Sequence, residues 1–335
     1  MLQTSIPVKY MKKEKIVKSV NAVKSAFSWA ASSVTGLPLI AGMPATVSFE
    51  LTNHCNLRCP ECASGSGMML RERGFMDPAL FEKAIGELKP WLWYVSLYFQ
   101  GEPYLHPELF SFIRMCENTK VIISTNGHFL DGANSGETVR SGIYKLIVSL
   151  DGMDQETYSK YRVKGNLETV MAGIRNVSRE RERLSSPMKL EIQFLVNRYN
   201  EHQIAMAESF AREVKASLKL KSMQVINSRD AGKWMPSETK YARYEMKDKR
   251  FAIKNAMPSR CLRLWLNPVI SWDGKVLPCC FDKDAEYVMG DLSSQSFREI
   301  WHGSKFREFR HRVLSGRRSI PICRNCSSGM RNVEY

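Results

Sequence analysis

Between residues 45 and 226 short apolar runs alternate with helix-like stretches. The runs 46–51 (TVSFEL), 94–99 (YVSLYF), 121–125 (VIIST), 145–150 (KLIVSL), 189–196 (KLEIQFLV) and 220–226 (LKSMQVI) read as strands. Helices are expected to begin near Asp77-Pro78, an N-cap followed by proline at the first helical position, and near Pro107, Glu137, Glu168 and Asn200. This βα repetition predicts an α/β fold with a parallel sheet. Six units fit in the segment, whereas a full eight-fold barrel needs about 250 residues. A partial (β/α)6 TIM-like barrel is therefore expected over residues 45–226.

The flanks read differently. Residues 1–44 form a basic N-terminal extension in which Ile16, Val20, Val23 and Phe27 recur at helical spacing among Lys12, Lys15, Lys18 and Lys24. Such an amphipathic helix suits either a membrane surface or the flank of its own domain. Residues 227–260 are charged and without clear pattern, as in a linker or a substrate-facing loop. Residues 261–335 open with a hairpin signal, WLNPVISWDGKVLPCC, turning at Asp273-Gly274. A helical stretch follows with Phe297, Ile300, Trp301, Phe306, Phe309 and Val313 as its apolar face, then the cysteine-bearing ICRNC.

At 335 residues, 44% apolar and 25% charged, the chain can bury a large domain plus a smaller one. No apolar run reaches the roughly 20 residues of a bilayer span. The mildly apolar N-terminal run is broken by Ser, Thr, Gly and Pro, so no cleaved signal peptide is expected. Residues 1–40 hold six Lys against one Glu, and Arg298–Arg331 nine Arg/Lys against two Glu, so two segments carry most of the net +15. Solvated basic faces, an anionic membrane surface, an anionic substrate and RNA are all open readings. Nine cysteines, an odd number in clusters, fit an intracellular metal-binding chain better than a secreted disulfide framework. Cys116, within an apolar helix, reads as a core residue.

CNLRCPEC, residues 55–62, sets Cys55, Cys59 and Cys62 at C-x3-C-x2-C directly after the first strand. Structural zinc and cubane iron–sulfur clusters normally take four protein ligands, so three leave a metal position open to a substrate or cosubstrate. Zinc with His54 as the fourth ligand is the alternative.

This spacing after the first strand of a βα-repeat chain resembles the radical S-adenosylmethionine (SAM) superfamily. The resemblance implies a [4Fe–4S] cluster on Cys55, Cys59 and Cys62, with SAM chelating the fourth iron through its amino and carboxylate groups. Glu61 departs from the family's frequent aromatic residue before the third cysteine. Gln100-Gly101-Glu102-Pro103 resembles the Gly-Gly-Glu-Pro motif that receives the SAM amino group, with one glycine replaced. An acceptor carboxylate beside a glycine turn suits an ammonium. STNG (124–127), containing Thr125 and Asn126, resembles the segment lining the SAM pocket, and VSLDG (148–152) places Ser149 and Asp151 near the ribose or carboxylate. Arg162 is a candidate partner of the SAM carboxylate. These residues sit at C-terminal ends of strands, where parallel α/β architectures place their chemistry.

Cys261, Gly274 and Cys279, completed by Cys323-x2-Cys326, resemble the SPASM/Twitch auxiliary-cluster domain. That resemblance implies a small C-terminal cysteine-rich domain holding one fully ligated auxiliary [4Fe–4S] cluster. Cys280 is adjacent to Cys279, whose spacing from Gly274 favours it as the ligand; a zinc ribbon suits four thiolates equally.

The resemblance, over about residues 45–330, implies an iron–sulfur enzyme; the cysteine usage fits a cytoplasmic chain, and the N-terminal helix, outside the resemblance, makes membrane association a candidate. Reductive cleavage of SAM would give a 5′-deoxyadenosyl radical that abstracts a substrate hydrogen. An auxiliary cluster without an open iron would accept an electron, making the enzyme an oxidoreductase acting on a sugar- or cyclitol-like metabolite. A peptide-modifying maturase is the second reading, and a non-catalytic basic protein contacting RNA or membrane the third. Expected partners are a small-molecule or peptide substrate and a reductant such as flavodoxin or ferredoxin; nucleic acid is the disfavoured partner. His106, Tyr104, Lys164 and Tyr199 lie near strand ends as candidate proton acceptors.

Overall fold

The computed structural model describes the backbone of residues 8–254 and 257–326, with side chains from residue 13 onward. The side chain of Lys12, and Arg331 with the end of the C-terminal segment, lie outside the described residues.

Six parallel strands follow one another across the sheet in chain order: β1 (Thr46–Phe49), β2 (Tyr94–Ser96), β3 (Lys120–Thr125), β4 (Lys145–Ser149), β5 (Lys189–Val196) and β6 (Ser217–Ser222). Helices cross between them, as parallel pairing requires. The helix Pro78–Leu88 begins where Asp77 accepts hydrogen bonds from the amides of Ala79 and Leu80, and it buries Phe81, Ala84, Ile85 and Leu88. Phe49, Phe81 and Phe112 pack as tilted rings at centroid spacings of 4.6 and 4.5 Å.

The sixth strand lies a few residues before the 220–226 run. Alternating lysines make Ser217–Ser222 read as surface, whereas the more apolar Met223 and Val225 follow the strand and pack against Leu57 and Cys59. The helix expected near Glu137 starts earlier, at Gly132, because Asp131 caps it by accepting from the amide of Asn134. A further helix, Gln155–Tyr161, carries no strong apolar period and was not anticipated. The patternless 227–260 stretch contains an antiparallel ribbon, β7 (Tyr244–Lys247) and β8 (Arg250–Ile253), turning through Asp248 and Lys249, both at positive φ.

Beyond β1 the sheet continues through β9 (Val269–Ile270), parallel to β1, then antiparallel β10 (Lys275–Leu277) and β11 (Gly290–Asp291). Gly274, at φ +82°, makes the expected hairpin turn between β9 and β10. The apolar stretch after it forms two helices, Phe297–His302 and Ser304–Gly316, whose six anticipated apolar residues are all buried. Glu50 and Arg71 form a buried ion pair at the end of β1, and Arg71 Nε also donates to the carbonyl of Lys283 at 2.8 Å. The first strand is thereby tied to the C-terminal segment.

The N-terminal helix, Val8–Thr35, lies on the flank of the domain. It docks through polar side chains: Lys18 donates to the carbonyl of Asn118, Asn21 exchanges two hydrogen bonds with the Met43 backbone, and Ser25 donates to the same Met43 oxygen. Among the described residues no helix is long and apolar enough to cross a membrane.

Candidate active site

The loop after β1 carries the three cysteines, with Cys59 buried and Cys55 and Cys62 half-buried. A short helical turn, Ala63–Ser66, follows Cys62. It can approach so closely because a Cβ on Gly65 would fall 2.7 Å from the Cys59 amide nitrogen. The Gln100-Gly101-Glu102 turn presses on the other side. Gly101 has φ +75°, and a Cβ there would lie 2.4 Å from the Thr52 oxygen and 2.6 Å from the His54 oxygen. The amide of Glu102 donates to the His54 carbonyl at 2.8 Å, and Ser64 Oγ bridges Gln100 Oε1 and the Gly101 amide. The motif after β2 therefore buttresses the cysteine loop.

Glu102 is buried, and burial pushes its carboxyl up to about 7. Its oxygens accept from Thr125 Oγ1 and the Asn126 amide, both at 2.7 Å, and from the Tyr104 amide at 3.2 Å. All three donors are neutral. Asn126 in turn places Nδ2 3.8 Å from Cys55 Sγ and 2.7 Å from Asn56 Oδ1. Thus Gln100, Gly101, Glu102, Thr125 and Asn126 converge on one side of the cysteines.

From the other side comes Arg162, at the end of the Gln155–Tyr161 helix. Its Nε donates to Asp151 Oδ2 at 2.6 Å and its Nη1 lies 3.8 Å from Cys59 Sγ. Burial works against the guanidinium charge, but Asp151 and Cys59 outweigh it and hold the pKa raised. The second Asp151 oxygen accepts from the Leu195 amide at 2.7 Å. Asp151 thus holds Arg162 in place. Ser149 is half-buried at the end of β4, opposite Gln193 of β5.

A cavity of about 390 Å³ opens beside Cys62, Gln100 and Gly101. Tyr161, Gln193, Gln224, Arg243 and Lys283 line it. The sequence reading missed these five. Gln193 and Tyr161 follow strand and helix periods like any core residue, and Arg243 falls in the patternless segment. Glu61 has a structural role: its two oxygens accept from Trp234 Nε1 at 2.9 Å and the Ile226 amide at 2.7 Å, tying the cysteine loop to the far wall.

The four candidate proton acceptors stand apart from this cavity. Both ring nitrogens of His106 are engaged, with the Met76 oxygen and the Glu108 amide, and the Tyr104 hydroxyl meets Thr138 Oγ1 at 2.6 Å. Lys164 is exposed and Tyr199 packs edge-on against Trp234.

Cys261, Cys279, Cys323 and Cys326 are buried together, with Cys280 at their side. Arg263 Nη1 lies 3.3 Å from Cys280 Sγ, and Arg317 Nη2 3.1 Å from Cys326 Sγ. Burial pushes the Cys323 thiol up, and Arg317 counters this. Asn325, between the last two cysteines, accepts from Arg243 Nη2 and Tyr244 and donates to the Val225 carbonyl. Cys116 is buried in the core, as expected.

The donor sets fit iron–sulfur clusters. No cysteine is in a disulfide. Cys55, Cys59 and Cys62 lie close to one another and pack with Leu57, Met223, Val225 and Trp234, an apolar wall on one side of the thiols.

The chain is similar to known proteins over most of its length. Residues 49–186 match the model of the radical SAM superfamily, and residues 261–327 that of the SPASM iron–sulfur cluster-binding domain. The S-adenosyl-L-methionine-dependent 2-deoxy-scyllo-inosamine dehydrogenase of Niallia circulans is 24% identical over 84% of this chain and 92% of its own. The AdoMet-dependent heme synthase of Methanosarcina barkeri is 26% identical over 84% and 91%. The crystal structure of BtrN in complex with AdoMet and 2-DOIA superposes with a TM-score of 0.53 at 23% identity, covering 87% of this chain and 95% of that one. Streptococcus suis SuiB bound to S-adenosylmethionine gives 0.61 at 13% identity, over 90% and 75%. Both share the fold. The chain carries a radical SAM domain over residues 49–186 and a SPASM domain over residues 261–327: it is an iron–sulfur enzyme that uses a [4Fe–4S] cluster and SAM.

Proposed function

We propose that this enzyme oxidises a small polar metabolite of sugar or cyclitol type by two electrons. The cavity beside Cys62 carries the reading: beyond the residues given to SAM, its wall of Gln193, Gln224, Arg243 and Lys283 offers amide and cationic groups that suit a small polar molecule. The relative from Niallia circulans, named as a dehydrogenase of a cyclitol derivative, supports the same class.

Cys55, Cys59 and Cys62 would hold the cluster that binds SAM; the chemistry supplied when both are bound is hydrogen abstraction by a 5′-deoxyadenosyl radical. Cys261, Cys279, Cys323 and Cys326 would hold one auxiliary cluster, whose chemistry there is to take up an electron. Glu102, buried and hydrogen-bonded only to neutral donors, would receive the SAM amino group as its cationic partner. Arg162, fixed by Asp151 beside Cys59, would receive the SAM carboxylate. Gln100, Gly101, Thr125, Asn126 and Ser149 would complete the SAM pocket. Tyr161, which lines the cavity and packs edge-on against Trp234, would shield the cysteine side from water. Loss of a hydrogen atom, then of an electron and a proton, makes the substrate's overall change a two-electron oxidation.

The test is anaerobic turnover of reconstituted enzyme with a chemical reductant, SAM and panels of cyclitols, sugars and peptides. One 5′-deoxyadenosine per oxidised cyclitol or sugar supports the proposal. Formation of 5′-deoxyadenosine coupled only to peptide modification would replace it with a peptide maturase.

A further inference from the structure

The N-terminal helix is mounted the opposite way round from an ordinary surface helix. Lys18, Asn21, Ser25, Ser28 and Ser32 are buried against the domain. Ser28 accepts from the Ala41 amide and Ser32 exchanges hydrogen bonds with the Leu39 backbone, so this face docks mainly through polar groups, with Trp29 the apolar side chain packed against the core. At about 100° per residue, Ile16, Val20, Val23, Phe27 and Val34 fall in one arc of roughly 60°, nearly opposite the serines. Ile16 is 62% exposed, Val20 48%, Val23 67% and Phe27 71%. The stripe is about 27 Å long at 1.5 Å per residue, and Leu37 and Leu39 extend it as exposed apolar residues.

Charge says what covers it. Lys13, Lys15 and Lys24 are exposed along its margins. The one acid between residues 13 and 40 is Glu14, ion-paired to buried Lys18 at 2.9 Å. Ile16, Val20 and Lys24 also share a groove with Trp91, Arg298 and His302, so the basic C-terminal segment adds exposed Arg298 to the same face. An apolar stripe edged by cations, with no free carboxylate among its described neighbours on the helix, suits an anionic bilayer surface. Pairing of two copies through this stripe would bring lysine margins against lysine margins.

We propose that the Val8–Thr35 helix is an interfacial anchor that lays its Ile16–Val20–Val23–Phe27 stripe into the surface of an anionic phospholipid bilayer, holding the enzyme peripherally. This is independent of which substrate the cavity takes.

The test is co-sedimentation of the full chain with extruded vesicles of phosphatidylcholine alone or mixed with phosphatidylglycerol. The expected result is binding to the mixed vesicles only, weakened by salt. The paired substitution Val23→Ser and Phe27→Ser should reduce partitioning by more than about tenfold, and Lys13→Gln with Lys24→Gln should reduce it several-fold. Both pairs are exposed, so unchanged circular dichroism and iron content check the fold. Equal sedimentation of the stripe variant, equal binding to neutral vesicles, or no binding would each overturn the proposal. So would a wild-type dimer that Val23→Ser and Phe27→Ser dissociate, which would assign the stripe to a second copy.

Discussion

Arg243 Nη2 donates to the backbone oxygen of Asn325 at 2.5 Å, one residue before Cys326, while the same side chain lines the cavity at Cys62. One guanidinium therefore joins the substrate-side cavity to the auxiliary cysteine loop. It is buried, burial lowers its pKa, and its Nε has no hydrogen-bond partner among the described residues. A buried cation of this kind gains most from a polar or anionic group placed in the cavity.

Arg243→Met should lower kcat/KM for the oxidised substrate by about 10–100-fold, the loss of a charge-assisted hydrogen bond. Substrate-independent cleavage of SAM should change less than threefold. Comparing 5′-deoxyadenosine formed with and without substrate checks the split.

Gly101→Ala sets a Cβ against the Thr52 and His54 oxygens at a positive φ. It should cost about 2–4 kcal/mol and lower iron content after reconstitution. Gly67 has a similar φ of +79° but open space around it, so Gly67→Ala should cost only about 1–2 kcal/mol and keep its iron. Denaturant unfolding and iron assay of both variants separate the two effects.

The candidate site is most legible in the sequence where spacing carries geometry. Cys55, Cys59 and Cys62 sit on one loop, so their separation reports their geometry directly, and Gly101 and Glu102 follow a strand end. Arg243 was invisible because its role depends on a ribbon, β7–β8, that has no apolar alternation, and on Asn325 far along the chain. Asp151 was placed near the ligand, whereas the structure spends its carboxylate on Arg162 and Leu195. The helical period of Ile16, Val20, Val23 and Phe27 was plain, but period does not say which face is buried. Asn21 and the serines win that contest by pairing with the polar backbone of residues 39–43.

Glu50 and Arg71 should be far less tolerant of single than of double replacement. Glu50→Gln or Arg71→Met strands one buried polar partner and should cost about 3–5 kcal/mol. Glu50→Met with Arg71→Met should cost less than either single change. Denaturant midpoints of the three variants check this.

Glu102 gives a pH signature in the SAM-free protein. Burial raises its folded pKa from the ordinary 4.5 to about 7, so the native state binds the proton more tightly. The corresponding stability is fully present below about pH 4.5 and is lost as pH rises towards 7, up to about 3 kcal/mol. Glu102→Gln should flatten the fall between pH 5 and 7.5, measured by unfolding at each pH.

The most direct test of the account is iron, sulfide and zinc per chain after anaerobic reconstitution of three proteins: wild type, Cys55/Cys59/Cys62→Ala and Cys261/Cys279/Cys323/Cys326→Ala. The account predicts about eight irons in the wild type, about four in each variant, and no zinc. About four irons in the wild type, unchanged by replacing Cys261, Cys279, Cys323 and Cys326, or zinc in their place, would contradict the auxiliary cluster and with it the two-electron oxidation.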